Sequence, residues 1–215
     1  MKKVLILSPH TDDAELGSGG TIIKFLENKK EIMWIVFSTA DDSVPENLPK
    51  NILKDEFHNV ARKLNISEDK LIIKDFKVRY LHERRQDILE ILVKIRQSFN
   101  PELVIGPSLN DFHQDHTIVA NEMVRAFKSS SSIISYELPW NHISFNTQFF
   151  IKLNEEQINK KVELLNSYHS QIEKGREYFS PEFIKGLAKI RGVQINSKYA
   201  EAFEVIRWIE SDNLS

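Results

Sequence analysis

Short apolar runs alternate along this chain with longer stretches whose apolar positions recur at helical spacing. Residues 4–8 and 32–39 are nearly unbroken apolar runs of strand length, and 71–76, 103–106 and 133–138 are shorter ones. Between them, residues 17–30 put Ile22, Ile23 and Leu26 on one face. Residues 51–64, 81–99 and 116–127 read as further helices, the 81–99 stretch being stopped by Asn100-Pro101. Strands alternating with helices of ten or more residues predict βαβ units, and therefore an α/β fold with a mainly parallel sheet. The last third is less regular. Residues 149–153 and 202–208 read there as strands, and 155–169 and 181–190 as helices, with the whole region expected to pack around the pocket. No repeat or low-complexity linker divides the chain, so residues 1–215 are expected to form a single domain.

Composition narrows the function classes. The 29 Lys and Arg against 31 Asp and Glu leave a formal net charge of −2, with no basic tail or arm, which argues against a nucleic-acid binder. Cysteine is absent, so there is no disulfide framework and no thiolate metal site. The apolar run of residues 4–7 falls short of the roughly 7–15 residues of a signal-peptide core and reads as a first strand. Nothing approaches the ~20 apolar residues of a membrane span. The expected location is the cytoplasm.

The chemistry gathers in two polar segments, each directly after an apolar run: Ser8-Pro9-His10-Thr11-Asp12-Asp13-Ala14-Glu15-Leu16-Gly17, and Asn110-Asp111-Phe112-His113-Gln114-Asp115-His116. In parallel sheets, sites form just beyond the carboxyl ends of the strands, which is where both segments fall. Adjacent aspartates after a buried strand are costly unless a cation or hydrogen bonds hold the charge. Two readings of that pair stand open, metal ligands or caps for the following helix. His113 and His116 share one helix face, and Asp111 and Asp115 beside them suit metal-bound histidines, which usually need carboxylate partners. A catalytic zinc ion typically takes three His and Asp/Glu ligands and keeps a position open for water. His10, Asp13 and His116 would fill that role and leave an Asp and a His to spare.

Other chemistries fit less well. Gly17-Ser18-Gly19-Gly20 imitates a dinucleotide-binding loop, but the third glycine of G-x-G-x-x-G falls on Ile22, and Asp12, Asp13 and Glu15 would repel a pyrophosphate. The glycines read instead as room for a helix to pack tightly on the sheet. No Gly-x-Ser-x-Gly elbow is present.

Residues 9–21, Pro-His-Thr-Asp-Asp-Ala-Glu-Leu-Gly-Ser-Gly-Gly-Thr, closely resemble the P-H-P-D-D-x-E-L-G-x-G-G-T signature of the PIG-L/LmbE-like N-deacetylases. Residues 111–116 resemble that family's D-x-H-x-D-H motif, and Arg191-Gly192 followed by Tyr199-Ala200-Glu201-Ala202-Phe203 resembles its C-terminal R-G…Y-A-E-x-F. The resemblance implies a Rossmann-like fold and a Zn²⁺-dependent amidase acting on N-acetylglucosamine-type sugars, with Fe²⁺ or Co²⁺ also admitted by such ligands. Carried over by position, His10, Asp13 and His116 bind the metal and Asp12 is the general base. His113 stabilises or protonates the tetrahedral intermediate, and Asp115 sets its charge and orientation. The resemblance also suggests a homo-oligomer.

The chain departs from the family pattern at two places. Thr11 stands for the usual Pro. Aligning the family's helical Glu with Glu56 puts Leu53 where an Arg often holds substrate. Lys54 and Arg79 are then the expected substrate-binding replacements, with Arg84 and Arg85 further candidates, and Trp140 is placed to stack on a sugar ring. The competing reading is a non-catalytic nucleotide- or sugar-binding Rossmann-like module, which has no use for Asp12 and His113 beyond three ligands.

Overall fold

Seven strands make one sheet in the computed structural model, which describes residues 1–210. In chain order the elements are β1 (Lys3–Ser8), α1 (Asp13–Glu27), β2 (Glu31–Val36), α2 (Ile52–Lys63), β3 (Leu71–Ile73), α3 (Arg85–Phe99) and β4 (Leu103–Gly106). There follow α4 (Gln114–Phe127), β5 (Ser132–Tyr136), β6 (Phe149–Leu153), α5 (Glu155–Leu165), α6 (His169–Glu173), α7 (Pro181–Val193) and β7 (Tyr199–Arg207). The strand order is β3-β2-β1-β4-β5-β7-β6. The first five pair in parallel, and β7 is antiparallel to both β5 and β6.

Alternation along the strands sorts the core into two layers. Val4, Ile6, Trp34 and Val36 pack with residues of α1, α2, α5 and α7. Leu5, Leu7, Ile35 and Phe37 pack with residues of α3 and α4. The chain runs outward from β1 through β2 to β3, then returns to lay β4 on the other side of β1. Strand order therefore reverses between β1 and β4, and a crevice opens beyond their carboxyl ends. Both polar segments leave the sheet at that crevice.

The structure moves several expected boundaries. The first helix begins at Asp13 rather than residue 17, with Asp13 and Glu15 in its first turn, where the helix dipole favours negative charge. Residues 81–84 form a 3₁₀ turn before α3. The stretch 155–169 does not run as one helix: α5 ends at Leu165 and α6 starts at His169. In the last third β6 falls on the expected residues, and β7, nine residues long, begins at Tyr199 rather than 202.

The glycine run and the C-terminal motif share one structural job. A Cβ on Gly17 would come within 2.5 Å of the Tyr136 ring, so α1 lies close on the sheet as the glycines suggested. At Ser18 (φ −144°) α1 kinks. The backbone bond that would join Gly20 N–H to the Leu16 carbonyl is replaced by an ion pair. Lys161 Nζ donates to Leu16 O (2.7 Å) and to Glu201 Oε1 (2.7 Å). Glu201 in turn accepts from Gly20 N–H (2.9 Å) and Thr21 N–H (2.7 Å). Both charged side chains are buried. Arg191 pairs with Glu137, which immediately follows β5, and so fixes α7 against the sheet.

Candidate metal centre

The loop after β1 turns sharply into α1, and the His10 and Asp13 side chains meet across that turn. Asp13 Oδ2 accepts from His10 N–H at 2.8 Å and lies 3.1 Å from His10 Nδ1. From the other side of the crevice, His116 Nε2 comes within 3.2 Å of Asp13 Oδ2 and 3.2 Å of His10 Nδ1. Three donor atoms from two loops thus form a nearly equilateral triangle. Corners spaced so lie about 1.8 Å from their centroid, so an ion slightly off the plane reaches all three at the roughly 2.0–2.2 Å of Zn–N and Zn–O bonds. The donor set fits a divalent metal. His10, His113 and His116 also gather, their ring nitrogens within 4.8 Å of one another. That is a looser group, and Asp13 closes the tighter one.

Each histidine is held from behind. His116 Nδ1 lies 2.7 Å from Asp111 Oδ2, and His10 Nε2 lies 2.9 Å from Asp115 Oδ2. These are carboxylate–histidine pairs of the kind that orient metal ligands. Asp111 Oδ1 also accepts from His113 N–H (2.8 Å), which bends the chain into α4. From β7, Glu204 accepts from Ser108 Oγ, Asn110 Nδ2 and Asn146 N–H, anchoring the loop that carries the second segment.

One expected contact is not made. The Asp115 carboxylate accepts from Arg79 N–H (2.6 Å) and Leu81 N–H (3.2 Å) besides facing His10. Toward His113 the carboxylate acts only through charge, and the hydrogen bond comes from the backbone, Asp115 N–H donating to His113 Nδ1 at 3.2 Å. This bond caps α4 and makes Nδ1 an acceptor, so the proton of the neutral His113 ring sits on Nε2. Burial, with His116 and His10 adding to it, lowers the His113 pKa to about 4. The ring is a neutral N–H donor at pH 7.

The remaining charges follow from the crowding. Burial opposes charge on His10, but the Asp13 and Asp115 carboxylates together outweigh it and push the pKa up to about 9. The same balance takes His116 up to about 10. Against its own burial, Asp13 is held well below the usual carboxylate range by His116 and His10. Half-buried Asp12 is pushed up to about 6 by burial and then by Asp13. Without metal, the two imidazolium–Asp13 contacts stabilise the fold fully below the ordinary histidine value of 6.5, and that contribution is lost as pH rises through about 9–10. Metal binding needs the imidazoles neutral, so the same rise in pH favours it. Melting temperatures of stripped and metal-saturated protein are therefore expected to diverge as pH increases. Parallel curves would contradict this charge assignment.

A cleft of about 190 Å³ opens over the triangle. His10, Asp12, Asp13, His113, His116 and Trp140 line it. Lys54 is exposed on α2 and is not among the described lining residues. Arg79 is likewise exposed and serves through its backbone N–H, Arg84 pairs with Asp87, and Arg85 pairs with Glu122. Leu53 does line the cleft. Sequence reasoning missed Gln171, Lys174, Arg176 and Tyr178, which reach the cleft from the segment after α5. It also missed Tyr168, whose hydroxyl lies 2.5 Å from both Thr11 O and Glu15 Oε1. Burial pushes the Glu15 carboxyl well above its usual range, and the Tyr168 hydroxyl, shared between Glu15 Oε1 and the Thr11 carbonyl as acceptors, pins the turn that carries Asp12. No local pattern marks these residues; only the fold brings them in.

Comparison with known proteins bears on the family and the fold. A family model described as PIG-L, GlcNAc-PI de-N-acetylase, matches residues 5–127, more than half of the chain. The uncharacterized deacetylase YaiS of Escherichia coli (strain K12) is 25% identical over 174 residues, covering 79% of this chain and 91% of YaiS. The N,N'-diacetylchitobiose deacetylase from Pyrococcus horikoshii, solved with its inhibitor MPG, has a TM-score of 0.77 at 21% identity, covering 95% of this chain and 84% of its own. GalB, the 4-carboxy-2-hydroxymuconate hydratase from Pseudomonas putida KT2440, has a TM-score of 0.74 at 18% identity over the full length of both chains. At such identities these structural likenesses establish the fold, and the two activities differ.

Proposed function

The chain belongs to the PIG-L family of GlcNAc-PI de-N-acetylases, and from that premise we propose that it is a metal-dependent hydrolase removing the N-acetyl group from an N-acetylglucosamine-type sugar or sugar conjugate. The observation that carries this reading is the 3.1–3.2 Å triangle of His10 Nδ1, Asp13 Oδ2 and His116 Nε2 on the wall of an open cleft beside Asp12. His10, Asp13 and His116 would hold Zn²⁺, or Fe²⁺ or Co²⁺, which when bound would supply Lewis acidity toward the acyl carbonyl and the attacking water.

The protein's own groups do the rest. Asp12 takes the water's proton, and a carboxyl with a pKa near 6 suits that task at neutral pH. The His113 N–H donates to the oxyanion as it forms, a role that needs no second proton on the ring. Asp12, once protonated, returns its proton to the leaving amine, and acetate and the free amine depart. Asp115 and Asp111 hold His10 and His116 in place. Trp140 offers an aromatic face at the cleft for the sugar.

A non-catalytic binding module of the same fold has no need for the placement of Asp12 and His113. Acetate release from a panel of N-acetylated sugars, free and nucleotide-linked, tests the proposal. Activity on at least one member, abolished by chelator and restored by Zn²⁺, is the expected outcome. Release untouched by chelator, or none across the panel, would overturn it. The family relationship carries the expectation of a homo-oligomer, checked by light scattering, and the cytoplasmic location expected from the sequence pattern is checked by cell fractionation.

A further inference from the structure

Beyond the metal triangle, the cleft has a cationic edge. Lys174 and Arg176 sit on the segment after α6 and line the same cleft as Asp12 and His113. Both spend their hydrogen bonds on neutral groups: Lys174 Nζ donates to the Ser43 carbonyl (2.8 Å), and Arg176 Nη1 donates to the Tyr178 hydroxyl. Among the described residues, neither has a carboxylate within ion-pair reach. The Arg176 guanidinium lies 5.6 Å from the centroid of the Tyr178 ring, which itself stacks on Trp140 at 4.0 Å and 9°. Two like charges two residues apart, Lys174 half-buried and Arg176 exposed, thus edge the cleft next to an aromatic platform. Burial and then the Arg176 charge lower the Lys174 pKa, with the more distant Asp12 and Glu56 carboxylates opposing, and an anion lying between the two cations would relieve the remaining crowding.

The position is informative. Leu53 lines the cleft at the position where the family pattern often has a substrate-holding arginine, so the positive charge of this cleft comes from a different wall. A neutral sugar has no use for two unpaired cations. A phosphate or carboxylate does: Arg binds either in a bidentate fork, and Lys adds a point charge.

Resting on the deacetylase reading, we propose that Lys174 and Arg176 form an anion subsite, and that the substrate is an N-acetylated sugar bearing a phosphate or carboxylate substituent. The acetamido group faces the metal triangle, the ring lies along Trp140 and Tyr178, and the anionic group is held between the two cations. Selection of the substrate thus resides in a segment separate from the catalytic loops.

The test compares the parent with Lys174→Gln/Arg176→Gln on N-acetylglucosamine, its 6-phosphate, and N-acetylmuramic acid, which carries a carboxylate. The parent is expected to prefer at least one anionic sugar, and which one identifies the substituent. In the double variant KM for that sugar rises about 10–100-fold, with kcat and the neutral sugar's parameters little changed. Arg176→Lys should restore part of the loss. Equal losses on neutral and charged sugars, or a shifted pH profile with unchanged KM, would mean that the cations only tune Asp12, and would overturn the subsite. So would a parent that favours the neutral sugar. Isothermal titration with the three sugars separates this from the activity claim. Tighter, salt-sensitive binding of an anionic sugar, lost in the double variant, upholds the subsite even if no acetate is released, whereas equal binding of charged and neutral sugars refutes it.

Discussion

Asp12→Asn is expected to lower kcat on the order of 10²–10⁴-fold while leaving metal content and fold intact. The substitution preserves shape but removes, among the described residues, the one carboxylate lining the cleft that does not also hold the metal. A second readout sharpens the prediction. Asp12 carries a pKa raised to about 6 because burial and Asp13 both disfavour its charge. A carboxyl raised in this way makes the folded state less favourable at pH 7, where it is ionised, so the metal-free Asn variant should melt higher than the parent. Activity falls while stability rises, the signature of a group kept for chemistry. The parent's kcat/KM should fall on the acid side as Asp12 takes up its proton, and this limb should vanish in the residual activity of the variant. Undiminished turnover in Asp12→Asn would remove Asp12 from the mechanism.

Lys161→Met is expected to destabilise the protein by about 3–5 kcal/mol, because it leaves the Glu201 carboxylate buried without its partner. For a chain of this size that corresponds to a fall in melting temperature of about 6–20 °C. The loss is specific to the kink in α1: Leu16 O loses its donor, and the charge that caps Gly20 and Thr21 loses its counter-ion. Lys161→Met/Glu201→Gln should recover part of the stability, since the amide oxygen still accepts from those N–H groups and no charge is stranded. Thermal melts of the three proteins decide the point, and additive losses in the double variant would count against the inserted ion pair.

Much of the site was legible in the sequence because its chemistry is local. His10, Asp12 and Asp13 occupy one turn, His113 and His116 one helical start, and each follows an apolar run that had to be a buried strand. The need of metal-bound histidines for carboxylates singled out Asp111 and Asp115 as well. Which carboxylate serves which histidine was not legible. Asp115 lies next to His116 in sequence but faces His10, a residue 105 positions away, and only the packing of β1 against β4 makes that pairing. The same limit hid Lys174 and Arg176, which belong to a stretch without periodicity. It also hid the role of Glu201, whose carboxylate repairs a helix 180 residues earlier. Of the antiparallel strands, β6 was legible at its bounds, while β7 begins at Tyr199 rather than 202 because Ala200 and Glu201 break the apolar run.

Metal stoichiometry in single variants tests the central claim most directly, because the triangle and the looser histidine cluster predict opposite patterns. The parent is expected to hold one divalent ion per chain by elemental analysis. His10→Ala, Asp13→Ala and His116→Ala should each lose it, while His113→Ala should retain it and lose activity. An Asp13→Ala protein that keeps its ion, or a His113→Ala protein that loses it, would contradict the ligand set on which the proposed chemistry rests.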